Sequence, residues 1–170
     1  VNLRALGIPV TVAARAGAAS IERESIMQLS LDNDGWYTIR AYGPEGVTIA
    51  LPPGERAENP VIEEENGFRN ERLDVIPGSF LVATPGHLDR TWPPETFEEL
   101  ERSHFEALAE LNVEVLLLGT GDRIRFPHPR VTAPVNEAGI GLECLDTAGA
   151  CRTFNVIAAE GRPVAAAILA

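Results

Sequence analysis

The sequence predicts an α/β domain whose sheet is at least partly parallel. Its 170 residues fit one domain. The carboxyl-terminal third alternates short apolar runs with helical segments, an order typical of strands joined by crossover helices. An apolar fraction of 45% and a charged fraction of 23% are those of an ordinary globular protein, so a packed core is expected.

The amino-terminal part predicts an extension, a hairpin and a loop. Residues 1–30 show no clean period and are assigned to an N-terminal extension, ahead of a single domain at residues 31–170. Residues 36–42 and 47–51 are rich in aromatic and β-branched side chains and flank a Gly-Pro-Glu-Gly turn, which predicts a hairpin. The polar stretch 52–73, with its Pro-Pro-Gly and Asn-Gly turns, predicts a long inserted surface loop.

The middle of the chain predicts a strand at residues 80–83 and then one helix or two short ones. Thr96 with Glu99 matches a capping box, and Ser103 with Glu106 repeats the pattern. The apolar stripe that follows leaves His104 on its exposed side, as a surface residue.

The carboxyl-terminal part carries the most regular pattern. Residues 113–118 form a nearly continuous apolar run, as expected for a strand covered on both faces. A helix is predicted over residues 127–139, although Pro134 is expected to cut or kink it. Asp146 is placed to cap a further helix. The remaining predictions are strands at 140–145 and 164–169 and a helix at 147–159.

Charge and composition limit the partners. The net charge of −11 repels phosphate backbones, so we expect no nucleic acid and favour a protein or small-molecule partner. No apolar run reaches the roughly 20 residues that span a bilayer, which leaves a peripheral association with a membrane complex open. Cys144 and Cys151 are too few for a disulfide framework and lack the spacing of a zinc site, so they are predicted to be reduced thiols.

Several motifs together resemble a known family. They are Leu-Leu-Gly-Thr-Gly at 117–121, Gly-Ile-Gly-Leu-Glu at 139–143, Asp-Thr at 146–147, Ala-Cys-Arg-Thr-Phe-Asn at 150–155 and Glu-Gly-Arg-Pro-Val-Ala-Ala-Ala at 160–167. The combination resembles the family of respiratory complex I (NADH dehydrogenase) assembly factor three and its uncharacterised bacterial and archaeal relatives. The likeness covers residues 36–170, while the 52–73 stretch departs from it.

The resemblance implies both a fold and a role. The fold is a three-layer single α/β domain with a central mixed β-sheet, a β-hairpin layer and flanking helices. The role is a non-enzymatic assembly or accessory protein of mitochondrial respiratory complex I, which binds protein partners such as complex I subunits on the matrix side. The alternative compartment is a bacterial cytoplasm.

One candidate ligand site is predicted around the loop Gly119-Thr120-Gly121, because a glycine-rich loop after a buried strand lets the backbone approach an anion. The loop lacks the spacing and the lysine of a P-loop, so a structural turn is the other interpretation. Arg152, Thr153 and Asn155, on the last predicted helix, together with Arg123 would complete an electropositive pocket. An ion pair of Arg152 with Asp146 or Glu143 is the alternative.

No catalytic residue, metal ligand or cofactor is predicted. Cys151 lies near a helix start beside Arg152, but no histidine lies in a segment expected to approach it, so a buried inert thiol is favoured over a nucleophile. The rival to the assembly role is a small-anion-binding module, or an enzyme of unknown reaction, that uses the Gly119–Gly121 loop with Arg152 and Thr153 in a bacterial cytoplasm.

Overall fold

A computed structural model describes residues 36–63 and 68–169. Within these ranges the chain forms two β-sheets, three α-helices and a short 3-10 helix at Phe97–Glu99. The strands are β1 (Thr38–Gly43), β2 (Gly46–Ala50), β3 (Pro60–Glu63), β4 (Phe68–Ile76), β5 (Phe80–Ala83), β6 (His87–Asp89), β7 (Val115–Gly119), β8 (Gly141–Leu145) and β9 (Val164–Ile168). The helices are α1 (Arg102–Ala109), α2 (Pro129–Glu137) and α3 (Thr147–Ala159).

The first sheet is antiparallel and has the order β1-β2-β4-β3. The central sheet has the order β6-β5-β9-β7-β8, in which β9, β7 and β8 are parallel and the other pairs are antiparallel. The central sheet is therefore mixed, and the first sheet supplies the additional β layer. The predicted α/β class and its layered arrangement are confirmed.

Two apolar clusters cover the two faces of the central sheet. One cluster joins the first sheet and α3 to one face through Ile49, Phe154 and Leu117. The other joins α1 and α2 to the opposite face, where Phe105 and Leu116 are fully buried. Strand β7 contributes alternate side chains to the two clusters, which confirms the prediction that both of its faces are covered.

Helices α2 and α3 lie on opposite faces because their crossovers run in opposite directions. The β7-α2-β8 unit steps outward from β7, whereas the β8-α3-β9 unit steps back across β7 to its other side. Right-handed crossovers of opposite direction place their helices on opposite faces of a sheet. This topology determines where a crevice opens.

The predicted loop at 52–73 is wrong in its second half, where β3 and most of β4 form an antiparallel hairpin. The turn residues that indicated a loop connect strands instead. Strand β4 pairs with both β3 and β2, and these pairings cannot be read from turn residues. The predicted N-terminal extension, residues 1–30, lies outside the described residues.

Two helix predictions also need correction. The α1 cap is not Ser103 but Glu101, whose backbone N–H donates to Nδ1 of His104 at 3.1 Å, and this bond gives His104 a structural role. Helix α2 continues through Pro134 instead of being cut there. The Arg130 carbonyl, which loses its usual helical donor to the proline ring, accepts a hydrogen bond from Arg102 Nη1 at 3.4 Å.

Candidate functional site

A crevice of about 570 Å³ opens at the carboxyl ends of β7, β8 and β9. Its walls come from the β1–β2 turn, the β4–β5 connection, the loop after β7, the start of α3 and the end of β9. The loops after the neighbouring strands β7 and β8 lead to helices on opposite faces, and such a switch point is where open α/β sheets commonly bind ligands. Topology therefore makes this crevice the first candidate for a functional site.

The predicted Gly119-Thr120-Gly121 segment forms the base of the loop after β7. A Cβ atom on Gly119 would lie 2.7 Å from Cδ1 of Ile168 and 3.3 Å from Cβ of Ala150, so a larger residue here would have to displace the end of the Ile168 side chain. Gly121 has a φ of +86° and lines the crevice. Its backbone N–H donates to the Thr147 hydroxyl at 3.1 Å, which ties the loop to the start of α3.

The buried Thr120 hydroxyl fixes the course of the loop. Its oxygen lies 2.7 Å from the Arg123 carbonyl oxygen and 2.9 Å from the Leu145 carbonyl oxygen, so it donates to one of them at a time. The same oxygen accepts from the backbone N–H of Arg125 at 3.0 Å. The backbone N–H of Thr120 also donates to the Leu145 carbonyl at 2.9 Å. The loop is therefore anchored to β8.

Arg125 closes the loop with its side chain. Its Nε and Nη2 atoms donate to the Thr120 carbonyl at 3.2 and 2.9 Å, and Nη1 pairs with Glu98 at 3.1 Å. The guanidinium carbon lies 4.4 Å above the ring centre of Phe97, a cation–π contact. Although Arg125 lines the crevice, most of its donors are used within the fold.

The anchored loop carries exposed apolar side chains. Phe126 is 76% exposed and Ile124 is 49% exposed, although neither lines the crevice, and Tyr42, which does line it, is 55% exposed. Large apolar side chains held outward by a fixed backbone are typical of protein contact sites.

The structure does not gather all of the predicted site residues. Gly121 lines the crevice, whereas Arg123, Arg152 and Thr153 do not. Arg152 is exposed on α3. Arg123 is exposed on the loop, where its carbonyl accepts a hydrogen bond from the Thr120 hydroxyl.

Asn155 has a different environment from the one predicted. It is buried, and its side-chain amide forms hydrogen bonds with both backbone groups of Ile39 in β1. Ile39 N–H donates to Oδ1 at 3.0 Å, and Nδ2 donates to the Ile39 carbonyl at 2.7 Å. These bonds join α3 to the edge of the first sheet, away from the crevice walls.

Neither cysteine has the environment of a reactive thiol. Burial raises the pKa of Cys151 to about 12, against the opposing effect of Arg152. Burial also raises the pKa of Cys144, and the charge of Glu143 adds to that effect. In residues 36–63 and 68–169, no group of three or more His, Cys, Asp or Glu side chains is arranged to hold a metal ion. No helix in those ranges is long and apolar enough to cross a membrane.

Sequence reasoning missed Ile124, Arg125 and Phe126. The available signal was two large apolar residues in the otherwise polar segment that separates β7 from α2. The network that fixes this loop gave no signal, because it depends on a hydroxyl, backbone carbonyls and Glu98, which lies 27 residues earlier.

Comparison with curated proteins finds relatives with a shared name. The chain is 27% identical over 148 residues to "NADH dehydrogenase [ubiquinone] 1 alpha subcomplex assembly factor 3" of Xenopus tropicalis, and the match covers 87% of this chain and 69% of the frog protein. The match to the Bos taurus protein of the same name is 32% identical and covers 46% of this chain and 44% of the bovine one. The resemblance noted in the sequence is thereby confirmed.

Solved bacterial structures share the fold. A protein of Xanthomonas campestris is 33% identical with a TM-score of 0.57, covering 84% of this chain and 92% of its own. A Bordetella pertussis protein described as a Mth938-like domain is 25% identical with a TM-score of 0.59 and the same two coverages. Residues 63–169 match the family described as "Protein of unknown function (DUF498/DUF598)". This match extends over more than half of the chain and includes β7, α3 and the loop with Phe126, so the chain belongs to the DUF498/DUF598 family.

Proposed function

We propose that this chain is a non-enzymatic accessory or assembly protein of respiratory complex I and that it acts by binding a protein partner. The names of the frog and bovine relatives support the assembly role. In the structure, the observation that carries the proposal is the anchored loop that presents Phe126 and Ile124 to solvent.

The loop is suited to binding because its conformation is fixed before a partner arrives. Thr120 and Arg125 hold its backbone through hydrogen bonds to carbonyl groups, so little conformational entropy remains to be lost on association. Aromatic side chains on rigid backbones are common centres of interface energy, and truncating one often weakens binding by 2 kcal/mol or more, which is roughly thirtyfold.

The relatives' names also support a compartment. The compartment proposed with such a partner is the matrix side of the mitochondrion, peripheral to the membrane complex, and the bacterial cytoplasm is the alternative in a bacterial host. The net charge of −11 favours partner surfaces with basic residues and disfavours nucleic acid.

The test is purification of the tagged protein from its own organism in mild detergent, followed by mass spectrometry of the proteins and small molecules that co-elute. We expect complex I subunits with the wild type and a strongly reduced yield with Phe126→Ser. Val156→Ser is the matched control, because Val156 is also apolar and 51% exposed but lies on α3 and not on the loop. A wild-type eluate without complex I subunits contradicts the assembly role. Equal yields of those subunits from the two variants contradict the proposal that the loop binds the partner.

The crevice supports the alternative function, a small-anion-binding module or an enzyme. Gly121 and the start of α3 line it, and its volume suits a small ligand. The carboxylates of Asp122 and Asp146 also line it, however, and these disfavour an anion. A small anion that co-elutes with the wild type and is lost from Ala148→Asp, which adds a carboxylate to the crevice lining, would favour this alternative over the assembly role.

A further inference from the structure

Among the described residues, strand β8 is the outer strand of the central sheet, and one of its hydrogen-bonding edges is open. It pairs with β7 on one side and, among the described strands, with none on the other. A free strand edge is a template for another extended segment, and proteins usually shorten or cover such edges. The edge of β1 in this chain is covered in that way, by the amide of Asn155 on α3.

The register identifies the free groups. Gly141 N–H donates to the Glu114 carbonyl, and the Leu145 carbonyl accepts from Thr120 N–H, so both residues direct their backbone groups towards β7. Backbone direction alternates along a parallel strand, so Glu143 does the same. Leu142 and Cys144 therefore direct their N–H and C=O groups away from β7, and no hydrogen bond from another described residue reaches them.

The side chains beside this edge differ between its two faces. Leu142 and Cys144 are half-buried and pack against the cluster beneath α1 and α2. Glu143 is exposed on the opposite face. Neighbouring residues on paired strands point to the same face, so an added strand would place alternate side chains beside the apolar pair and beside the carboxylate.

A second copy of this chain fits the edge poorly. Antiparallel pairing of two β8 strands that uses both outward residues pairs Leu142 with Cys144 of the other copy. That register places Glu143 directly opposite Glu143, and like charges at such a position are destabilising. The net charge of −11 on each copy adds to the repulsion.

We infer that β8 accepts an extended segment of a protein partner in which apolar and basic residues alternate, with the apolar side chains beside Leu142 and Cys144 and a basic side chain beside Glu143. This inference deepens the proposed function, because it rests on a protein partner and names the kind of segment that the partner supplies.

The test measures binding of a short fluorescent peptide in which Arg and Val alternate. Cys144→Pro removes one outward N–H that donates to no other residue in 36–63 or 68–169, and proline is tolerated at such edge positions. Cys144→Ala is the matched control, because it also loses the thiol but keeps the N–H. Three further peptides serve as comparisons. One contains the same residues in two blocks and tests the alternating pattern, and one alternates Glu with Val and tests charge. The third carries an N-methylated backbone and tests hydrogen bonding. The N-methylated peptide needs no folded variant.

We expect wild type and Cys144→Ala to bind the Arg–Val peptide, and Cys144→Pro to bind it about tenfold more weakly or worse. Glu143→Arg should prefer the Glu–Val peptide. On binding, the amides of Leu142 and Cys144 should gain protection from hydrogen exchange, whereas the amide of Glu143 is protected already.

Three results would overturn the inference. They are no binding of the alternating peptide to the wild type, equal binding by Cys144→Pro and Cys144→Ala, or a wild-type dimer in sedimentation that Cys144→Pro abolishes. If Cys144→Pro still co-purifies with complex I subunits, strand addition at β8 is rejected, but the proposed function is not. Failure of the proposed function is visible separately, as the absence of those subunits from the wild-type eluate.

Discussion

The hydrogen bonds between Asn155 and Ile39 allow a sharp test of whether Asn155 stabilises the fold or binds a ligand. Its amide satisfies both backbone groups of Ile39 at 3.0 and 2.7 Å, and both residues are buried. Asn155→Ala removes both bonds and leaves a backbone N–H and a carbonyl without partners inside the protein.

The expected loss is large. A buried polar group left unsatisfied costs about 1–3 kcal/mol, so two such groups give a loss of about 2–6 kcal/mol in the free energy of unfolding. The total free energy of unfolding of a domain of this size is roughly 5–15 kcal/mol, so the variant keeps only part of its stability. Asn155→Asp should lose more at neutral pH, because its carboxylate faces the Ile39 carbonyl, and should recover in acid, where a protonated carboxyl donates to that carbonyl.

Urea unfolding followed by circular dichroism measures the loss. Asn136→Ala is the control, since Asn136 is also an asparagine in a helix but is exposed on α2. We expect the control to change the free energy of unfolding by less than about 0.5 kcal/mol. If Asn155→Ala lowers the free energy of unfolding by less than about 1 kcal/mol, the structural role is refuted and Asn155 is again a candidate ligand-binding residue.

Two further predictions concern packing and titration in the core. Gly119→Ala should lower the thermal midpoint through overpacking of about 1 kcal/mol, the low end of the usual range, because the new Cβ lies 2.7 Å from Cδ1 of Ile168, the movable end of a buried side chain. Gly43→Ala, which meets nothing within 4 Å, is the control, and equal midpoints contradict the steric reasoning. The raised pKa of Cys151 stabilises the folded state below the ordinary cysteine pKa, and this stability is lost as pH rises towards about 12. Above about pH 9, the wild type should therefore lose up to about 1.4 kcal/mol per pH unit more than Cys151→Ala in urea unfolding, and parallel pH curves would exclude the effect.

The carboxyl-terminal elements could be predicted from sequence because their determinants are local. Asp146 accepts a hydrogen bond from Gly149 N–H, and Gly161 takes a φ of +74° just beyond α3, so this helix has its predicted bounds. Likewise, the run of apolar residues in β7 was sufficient to predict a strand covered on both faces, because each face requires its own apolar partners.

The missed features depend on distant contacts. The hairpin of β3 and β4 is held by pairing of β4 with β2, which turn residues cannot report. In helix α2, the Arg130 carbonyl that Pro134 leaves without a helical donor accepts from Arg102, which lies 28 residues earlier in the chain. In the candidate site, the glycines were visible in the sequence, but their anchoring through Thr147 and Arg125 was not.

The two proposed contact surfaces have one structural origin, which is the pairing of β8 with β7. That pairing directs the backbone groups of Leu142 and Cys144 away from β7. At its carboxyl end it also offers the Leu145 carbonyl to Thr120, which in turn positions the loop of Phe126. In both proposals, backbone groups are thus as important as side chains. A surface built from backbone direction leaves no motif in the sequence, whereas catalytic sites usually do, so an edge of the kind proposed here can be found only once the strand register is known.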